Sequence, residues 1–367
     1  MTSDKTLMIV MGTRPEAIKL APVALAAQRD GRMRVVVVRT SQHRQMLDQM
    51  VEAFGLPIAV DLDIMRHDQS LTQVTTAALE GLDRTIAALR PTAVVVQGDT
   101  TTTFCGALAA FHHRVPVAHV EAGLRTHDRF QPFPEEVNRR LTAQVTDFHF
   151  APTEGAEANL RREGVPDARI WVTGNTAIDA LRITLERAGE RAAATGPERR
   201  ILVTAHRREN HGEPMAEICR ALVRLCERFE DVRVRFPVHL SPRVRATVFE
   251  RLQGHPRIAL EEPLGYEAFV LAMSQAHLIL SDSGGVQEEA PALGKPVLVL
   301  RETTERPEAC EAGCAMLVGT NADRIFDEAS RLLSDEAWYG QMARAKNPFG
   351  DGHAAERIVS VLADALA

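Results

Sequence analysis

Three carboxylates and one imidazole in this chain directly follow, or closely trail, short apolar runs that read as β-strands. Asp99 follows Ala93–Val96 in the segment Gln97-Gly98-Asp99-Thr100, and Glu121 leaves the run Val117–Val120. Glu135 comes just after Pro134, where a helix is expected to begin with Glu135 and Glu136 in its first turn. Each has an ordinary reading: Asp99 as a helix N-cap, Glu135 and Glu136 as acids favoured by the helix dipole. All three, however, reach one rim of one expected sheet. Carboxylates gathered at one place raise one another's pKa, which suits proton transfer near neutral pH. His206 follows the run Ile201–Thr204 with Arg207 and Arg208 beside it. An imidazole there can serve a leaving phosphate as proton or hydrogen-bond donor, or simply cap the next helix.

A second constellation points to a large anion. Ser281-Asp282-Ser283-Gly284-Gly285-Val286-Gln287-Glu288-Glu289-Ala290 lies between the apolar runs His277–Leu280 and Pro296–Leu300. The spacing predicts a strand, one helix and another strand. Ser283, Gly284 and Gly285 fall where that helix starts, and glycines there let a phosphate approach bare N–H groups. Glu289, about one turn on, is placed to accept hydrogen bonds from a sugar diol. Diphosphate at the helix start and ribose on the carboxylate describe a nucleotide. The alternative is an ordinary turn with a solvated acidic face. Arg14 and Lys19 add two cations near another expected helix start, where the dipole disfavours them. An anionic ligand or a carboxylate across a cleft explains them better than solvent does. Arg306 also follows a strand end and joins the candidate anion ligands.

The elements that must position these residues alternate regularly. Leu7–Met11, Val35–Val38, Ala93–Val96, Val117–Val120, Phe148–Ala151 and Ile170–Val172 are short and apolar, with helix-like segments between them. Continuous apolar strands of this kind fit parallel sheets covered on both faces. A second series comprises Ile201–Thr204, Val232–Phe236, Ile258–Leu260, Leu278–Leu280, Val297–Leu300 and Met316–Val318. The stretch Leu181–Arg200 reads as a polar helix and a loop. We therefore expect an α/β protein of two doubly wound, Rossmann-like domains facing a cleft. The expected boundaries are residues 1–174, 175–352 and a last amphipathic helix over 353–367. Ligands of such sheets bind beyond the carboxyl ends of the strands.

Bulk properties narrow the function. The 367 residues suffice for two such domains. The net charge of −6 gives no global field for nucleic acid, so nucleic acid is not an expected partner. No apolar stretch is long enough to span a bilayer, and the first residues lack a signal-peptide layout. The five cysteines are scattered, which suggests free thiols in a reducing cytoplasm. No metal-ligand motif is present, and no Gly-x-Gly-x-x-Gly follows the first strand, so neither a metal nor a nicotinamide cofactor is expected.

Together, GTRPEAIK at 12–19, QHRQMLDQM at 42–50, GDTTTT at 98–103, HVEAGLRT at 119–126, FPEEVNRRL at 133–141, VTGNTAIDAL at 172–181, TAHRREN at 204–210 and DSGGVQEEAPALGKPVLVLRETTERPEA at 282–309 resemble the non-hydrolysing UDP-N-acetylglucosamine 2-epimerases over essentially the whole chain. The resemblance implies a glycosyltransferase-B-like fold, a homodimer, a last helix crossing back to the first domain, and a place in polysaccharide precursor supply. It implies interconversion of UDP-N-acetylglucosamine and UDP-N-acetylmannosamine through loss of UDP to a glycal and its re-addition, without metal or nicotinamide. By position, Asp99, Glu121, Glu135 and His206 match the family's catalytic residues. Arg14, Lys19, Phe269, Ser283, Gly284, Gly285, Glu289 and Arg306 match its nucleotide-sugar contacts. Gln42, Gln45, Glu136, Arg207 and His239 match most of a second, activating UDP-N-acetylglucosamine site found in some bacterial members. Competing readings are an epimerase of a related UDP-hexosaminuronate, a retaining glycosyltransferase of the same fold, a hydrolysing epimerase and a silent nucleotide-sugar sensor.

Overall fold

The computed structural model describes residues 5–41, 44–66, 68–192 and 196–366, with backbone alone at 44–47 and 190. By internal contacts the chain divides into two units. One is 1–180 with 349–367, and the other is 181–348.

The first unit holds β1 (Thr6–Met11), α1 (Arg14–Asp30), β2 (Arg34–Arg39), α2 (Arg44–Phe54), β3 (Ile58–Asp61), α3 (Leu71–Leu89) and β4 (Ala93–Gln97). It continues with α4 (Thr101–His112), β5 (Val117–Val120), α5 (Glu135–Gln144), β6 (Phe148–Ala151), α6 (Glu154–Arg162) and β7 (Ile170–Val172). Its seven strands run in the order β3-β2-β1-β4-β5-β6-β7, and every pairing is parallel. β1 and β4 are buried along their whole length, as a sheet covered on both faces requires. Met8, Val10, Val94 and Val96 pack with Leu82 and Ile86 of α3 and with Cys105 and Ala109 of α4. The edge strand β3 was not among the expected strands. Its residues alternate between half-buried and exposed; Ile58-Ala59-Val60 is as apolar as the expected strand Ile258–Leu260, and a run this short does not separate strand from loop.

Helix α7 (Thr176–Ala188) starts five residues before the expected Leu181. Asn175 explains the early start, since its side-chain oxygen accepts the Ala177 N–H at 2.9 Å. Ala177, Ile178 and Ala180 are buried with Leu181, so the apolar face of the helix extends one turn before the expected start. The second unit then holds β8 (Arg199–Thr204), α8 (Glu213–Arg228), β9 (Val232–Pro237), α9 (Pro242–Leu252), β10 (Ile258–Glu261), α10 (Tyr266–Gln275) and β11 (Leu278–Ser281). It ends with α11 (Gly284–Glu289), β12 (Val297–Val299), α12 (Pro307–Glu311), β13 (Ala315–Leu317), α13 (Ala322–Ser334) and α14 (Glu336–Ala343). Its six strands follow the order β10-β9-β8-β11-β12-β13, again all parallel. Ile201, Val203, Val234 and Phe236 pack with Leu222 and Leu225 of α8 and Ile325 of α13.

The last helix, α15 (Ala354–Ala365), belongs to the first unit and packs on α1. Asp179 of α7 accepts the Ala354 and Ala355 N–H groups at 3.3 and 2.8 Å. A carboxylate there satisfies two of the orphan donors of a helix start and complements its dipole. Among the described residues no helix is long and apolar enough to cross a membrane.

Candidate active site

In each sheet the strand order reverses once, between β1 and β4 and between β8 and β11. The crevice beyond the strand ends at such a reversal is where doubly wound sheets bind ligands. The candidate residues fall at these two places.

In the first unit the backbone is tight where β1 and β4 end. A Cβ on Gly12 would lie 2.3 Å from the hydroxyls of both Thr40 and Thr102, so only glycine fits. Glu16, one turn into α1, is fully buried, and burial raises its pKa against the lowering effect of its hydrogen bonds. One of its oxygens accepts from Gly12 N at 2.9 Å, and from Thr13 N and Oγ1 at 2.7 Å each. The other accepts from Thr100 Oγ1 at 2.7 Å and Thr103 Oγ1 at 3.1 Å. The capping box visible in the sequence therefore does more than cap. It staples the turn after β1 to the turn after β4.

Asp99 sits in that second turn, half-buried. It is not an N-cap. Thr100 takes that place on α4, accepting Thr103 N at 3.1 Å. The carboxylate of Asp99 is instead ion-paired with Arg139 of α5. Glu121 closes β5 with φ of +63°, a left-handed conformation that costs a non-glycine residue about 1 kcal/mol or more. Its carboxylate is nearly buried, receives the Gln97 amide, pairs with Lys19 and lies 3.5 Å from the Asn175 amide. One partner of Lys19 is thus a carboxylate of its own unit. Glu135 is the first residue of α5 and half-buried, and Arg14 is half-buried in the first turn of α1. Among the described residues neither forms an ion pair. The neighbouring His119 is buried, which holds its pKa down at about 4, and its neutral ring donates Nε2–H to Gly98 O at 2.7 Å.

In the second unit Asp282 plays the stapling part. It is fully buried after β11, and its Oδ2 accepts His206 N and Arg207 N at 2.8 Å each and the Asn210 amide at 2.9 Å. Its backbone carbonyl accepts Arg207 Nε at 3.0 Å. The ends of β8 and β11 are thereby joined. His206 is exposed and stacks on His239, with ring centroids 5.2 Å apart. It does not cap α8, whose N-cap is Gly212. Ser283 is the N-cap of α11. A Cβ added to Gly285 would lie 3.7 Å from Glu289 Oε1 and 3.9 Å from Ser283 Oγ. One added to Gly284 would lie 3.5 Å from the Arg306 guanidinium carbon. Ser283, Glu289 and Arg306 therefore gather around two bare backbone positions. Arg306 is held there by Glu288 at 2.5 Å. Phe269 is half-buried in the first turns of α10.

The residues matched to a second nucleotide-sugar site are distributed differently. Gln42 lies outside the described residues, and Gln45 is on α2 with only its backbone described. Glu136 has no exposed side-chain surface and accepts Thr126 N and His127 N at 3.0 and 3.3 Å. It anchors the connection between β5 and α5. Arg207 reaches both Glu305 oxygens at 3.4 Å. Burial, followed by the nearby His206 and His211, lowers the pKa of His239.

Sequence reasoning missed Gln97, Asn138, Arg139, Asp282 and Asn210 as parts of these sites. All lie in or beside these motifs, but their roles depend on partners up to 90 positions away. The cysteines offer no nucleophile, since burial pushes the Cys105 and Cys219 thiols up to about 12. A cavity of about 270 Å³ in the second unit is lined by Arg200, Arg233, Arg235 and Glu261 among others. It contains none of the candidate contacts, and Arg235 is already taken by both oxygens of Glu261 at 2.9 Å.

Comparison with known proteins agrees with this geometry. The family model described as UDP-N-acetylglucosamine 2-epimerase matches residues 25–363. The UDP-N-acetylglucosamine 2-epimerase of Escherichia coli K12 is 49% identical over 368 residues, covering 97% of this chain and 98% of its own. The crystal structure of UDP-GlcNAc 2-epimerase from Neisseria meningitidis bound to UDP-GlcNAc is similar with a TM-score of 0.87 and 44% identity, over 98% of this chain and 100% of that one. Acinetobacter baumannii MurG, at 16% identity and a TM-score of 0.60 over 98% of this chain and 99% of its own, shares the fold alone. The glycosyltransferase-B-like class expected from the sequence is therefore the class observed, and the chain belongs to the UDP-N-acetylglucosamine 2-epimerase family.

Proposed function

We propose that this protein interconverts UDP-N-acetylglucosamine and UDP-N-acetylmannosamine by inverting C2. In the ring form the C2 hydrogen has no adjacent carbonyl, so simple deprotonation is too costly. Breaking the C1–O bond to UDP while C2 loses its proton gives a neutral glycal and free UDP. Re-addition of UDP at C1, with protonation of the opposite face of C2, gives the epimer. Atoms and charge balance without an external co-reactant. The route needs proton-transfer groups and strong diphosphate stabilisation.

Proton transfer at C2 is assigned to Asp99, Glu121 and Glu135, with Lys19 fixing Glu121. Diphosphate is assigned to the α11 start at Ser283–Gly285, to Arg306 and Arg14, and to His206 as donor to the leaving phosphate. Glu289 takes the ribose diol and Phe269 contributes to uridine binding. The observation that carries the reading is the pair of carboxylates ending adjacent strands β4 and β5, each locked by a basic residue of its own unit. A sensor that only binds a nucleotide sugar gains nothing from them. A homodimer and a cytoplasmic location belong to the same proposal, the latter supported by five free cysteines.

The test is incubation with UDP-N-acetylglucosamine alone in heavy water, read by NMR. Deuterium at C2 with the UDP linkage intact in both epimers is the expected result. Release of free N-acetylmannosamine would make the protein a hydrolysing epimerase. Absence of C2 exchange without an acceptor would leave the retaining glycosyltransferase. A panel that includes UDP-hexosaminuronates reads the sugar preference.

A further inference from the structure

The turn that carries Asp99 is gripped from several directions. Gly98 has φ of +75°, its N–H reaches Val120 O at 3.0 Å, and its carbonyl takes the His119 ring N–H. Thr100 is tied to Glu16. The remaining grips both come from α5. Asn138 Nδ2 donates to the Asp99 carbonyl at 3.0 Å, and the Arg139 guanidinium pairs with the Asp99 carboxylate. Asn138 and Arg139 are each only 9% exposed. The same helix begins at Glu135, and its second residue, Glu136, fixes the chain leading into it. Glu136 also approaches Arg139 at 3.6 Å. One helix thus supplies one candidate catalytic carboxylate and holds a second by both backbone and side chain.

We propose that Asn138 and Arg139 are positioning residues for Asp99, and that α5 fixes the separation of Asp99 and Glu135. This rests on the assignment of proton transfer to Asp99. Arginine suits the task better than lysine. Its planar fork can hold the Asp99 carboxylate and face Glu136 at once, whereas one ammonium presents a single point charge. A buried Arg139 lacking the Asp99 carboxylate would leave donors unsatisfied, so the grip is structural as well. The test must separate the two roles.

The experiment measures C2 deuterium exchange and steady-state epimerisation for wild type, Arg139→Ala, Arg139→Lys, Asn138→Ala, Asp99→Asn and the double variant Asp99→Asn/Arg139→Ala. If wild type exchanges no deuterium, the epimerase reading fails and the positioning question does not arise. If wild type exchanges, Arg139→Ala is expected to lower kcat about 100-fold with KM changed less than about threefold, the size of effect that a small misplacement of a reacting group produces. Arg139→Lys should recover only part of that loss. Added guanidinium, at concentrations below those that unfold the protein, should restore part of the Arg139→Ala activity. The decisive reading is the double variant. If Arg139 acts through Asp99, its removal costs little once Asp99 is already Asn. Multiplied losses in the double variant, or wild-type kcat in a folded Arg139→Ala, overturn the proposal. Should Arg139→Ala not fold, Asn138→Ala and Arg139→Lys carry the same test: a kcat loss of about tenfold at constant KM supports it, and unchanged kcat in both overturns it.

Discussion

The two units meet the same demand with different chemistry. Each has a fully parallel sheet, one reversal of strand order, and one buried carboxylate that ties the two strand ends at the reversal. In the first unit that carboxylate is Glu16, with both oxygens occupied by five donors. In the second it is Asp282, whose Oδ2 accepts three donors while Oδ1 is buried with no hydrogen-bond partner among the described residues. Around Glu16 the candidate groups are side chains, Asp99 and Glu121, each paired with a basic residue. Around Asp282 they include bare backbone, Gly284 and Gly285, with Arg306 alongside. In the proposed mechanism the first unit transfers protons, which needs a few atoms held to a fraction of an ångström, and its interactions fix side-chain rotamers. In the same proposal the second unit binds phosphate, which needs N–H groups and space, and its interactions fix the course of the backbone.

If this division holds, Asp99→Asn should lower kcat about 10³-fold to a measurable residual rate, while calorimetry shows UDP binding within about twofold of wild type. A large loss of UDP affinity in that variant would erase the distinction between the units. Asp282→Ala is expected to do the reverse kind of damage. It strands two backbone N–H groups and an amide in a buried place, costing about 3 kcal/mol of stability, and it should weaken UDP binding because His206 and Arg207 lose their anchor. Chemical unfolding and UDP titration read both effects.

Gly285→Ala sharpens the contrast at smaller scale. The added methyl meets Glu289 and Ser283 at ordinary contact distances, so the unfolding midpoint should hardly move. UDP affinity should fall about tenfold if phosphate approaches this backbone as closely as a glycine start allows. Unchanged affinity would move the phosphate elsewhere. The smallest effect concerns Glu16. Burial raises its folded-state pKa above 4.5. A carboxyl with a raised folded pKa contributes stability that is present below the unfolded value and lost as pH rises through the folded one. The difference in unfolding midpoint between wild type and Glu16→Gln should therefore shift in favour of the variant as pH rises from 4.5. A flat difference curve would show that Glu16 titrates normally.

Much of this was written locally in the chain. Apolar runs such as Val94–Val96 and Leu278–Leu280 mark strands because a strand buried on both faces admits little else. Ser283-Gly284-Gly285 marks a helix start, and Thr13 with Glu16 marks a capping box, because both depend on neighbours three or four residues apart. The half-exposed strand β3 and the start of α7 were missed although Ile58–Val60, Ala177, Ile178 and Ala180 are apolar, because three-residue runs and helix bounds are the least determined parts of an apolar pattern. Tertiary structure alone decided which charges meet. Lys19 is 102 positions from Glu121, Arg139 is 40 from Asp99, and Asp282 is 76 from His206. Such pairings arise where strand ends from distant parts of the chain are brought side by side, and a sequence pattern fixes the periodicity of each element but not the partner a side chain finds across a crevice.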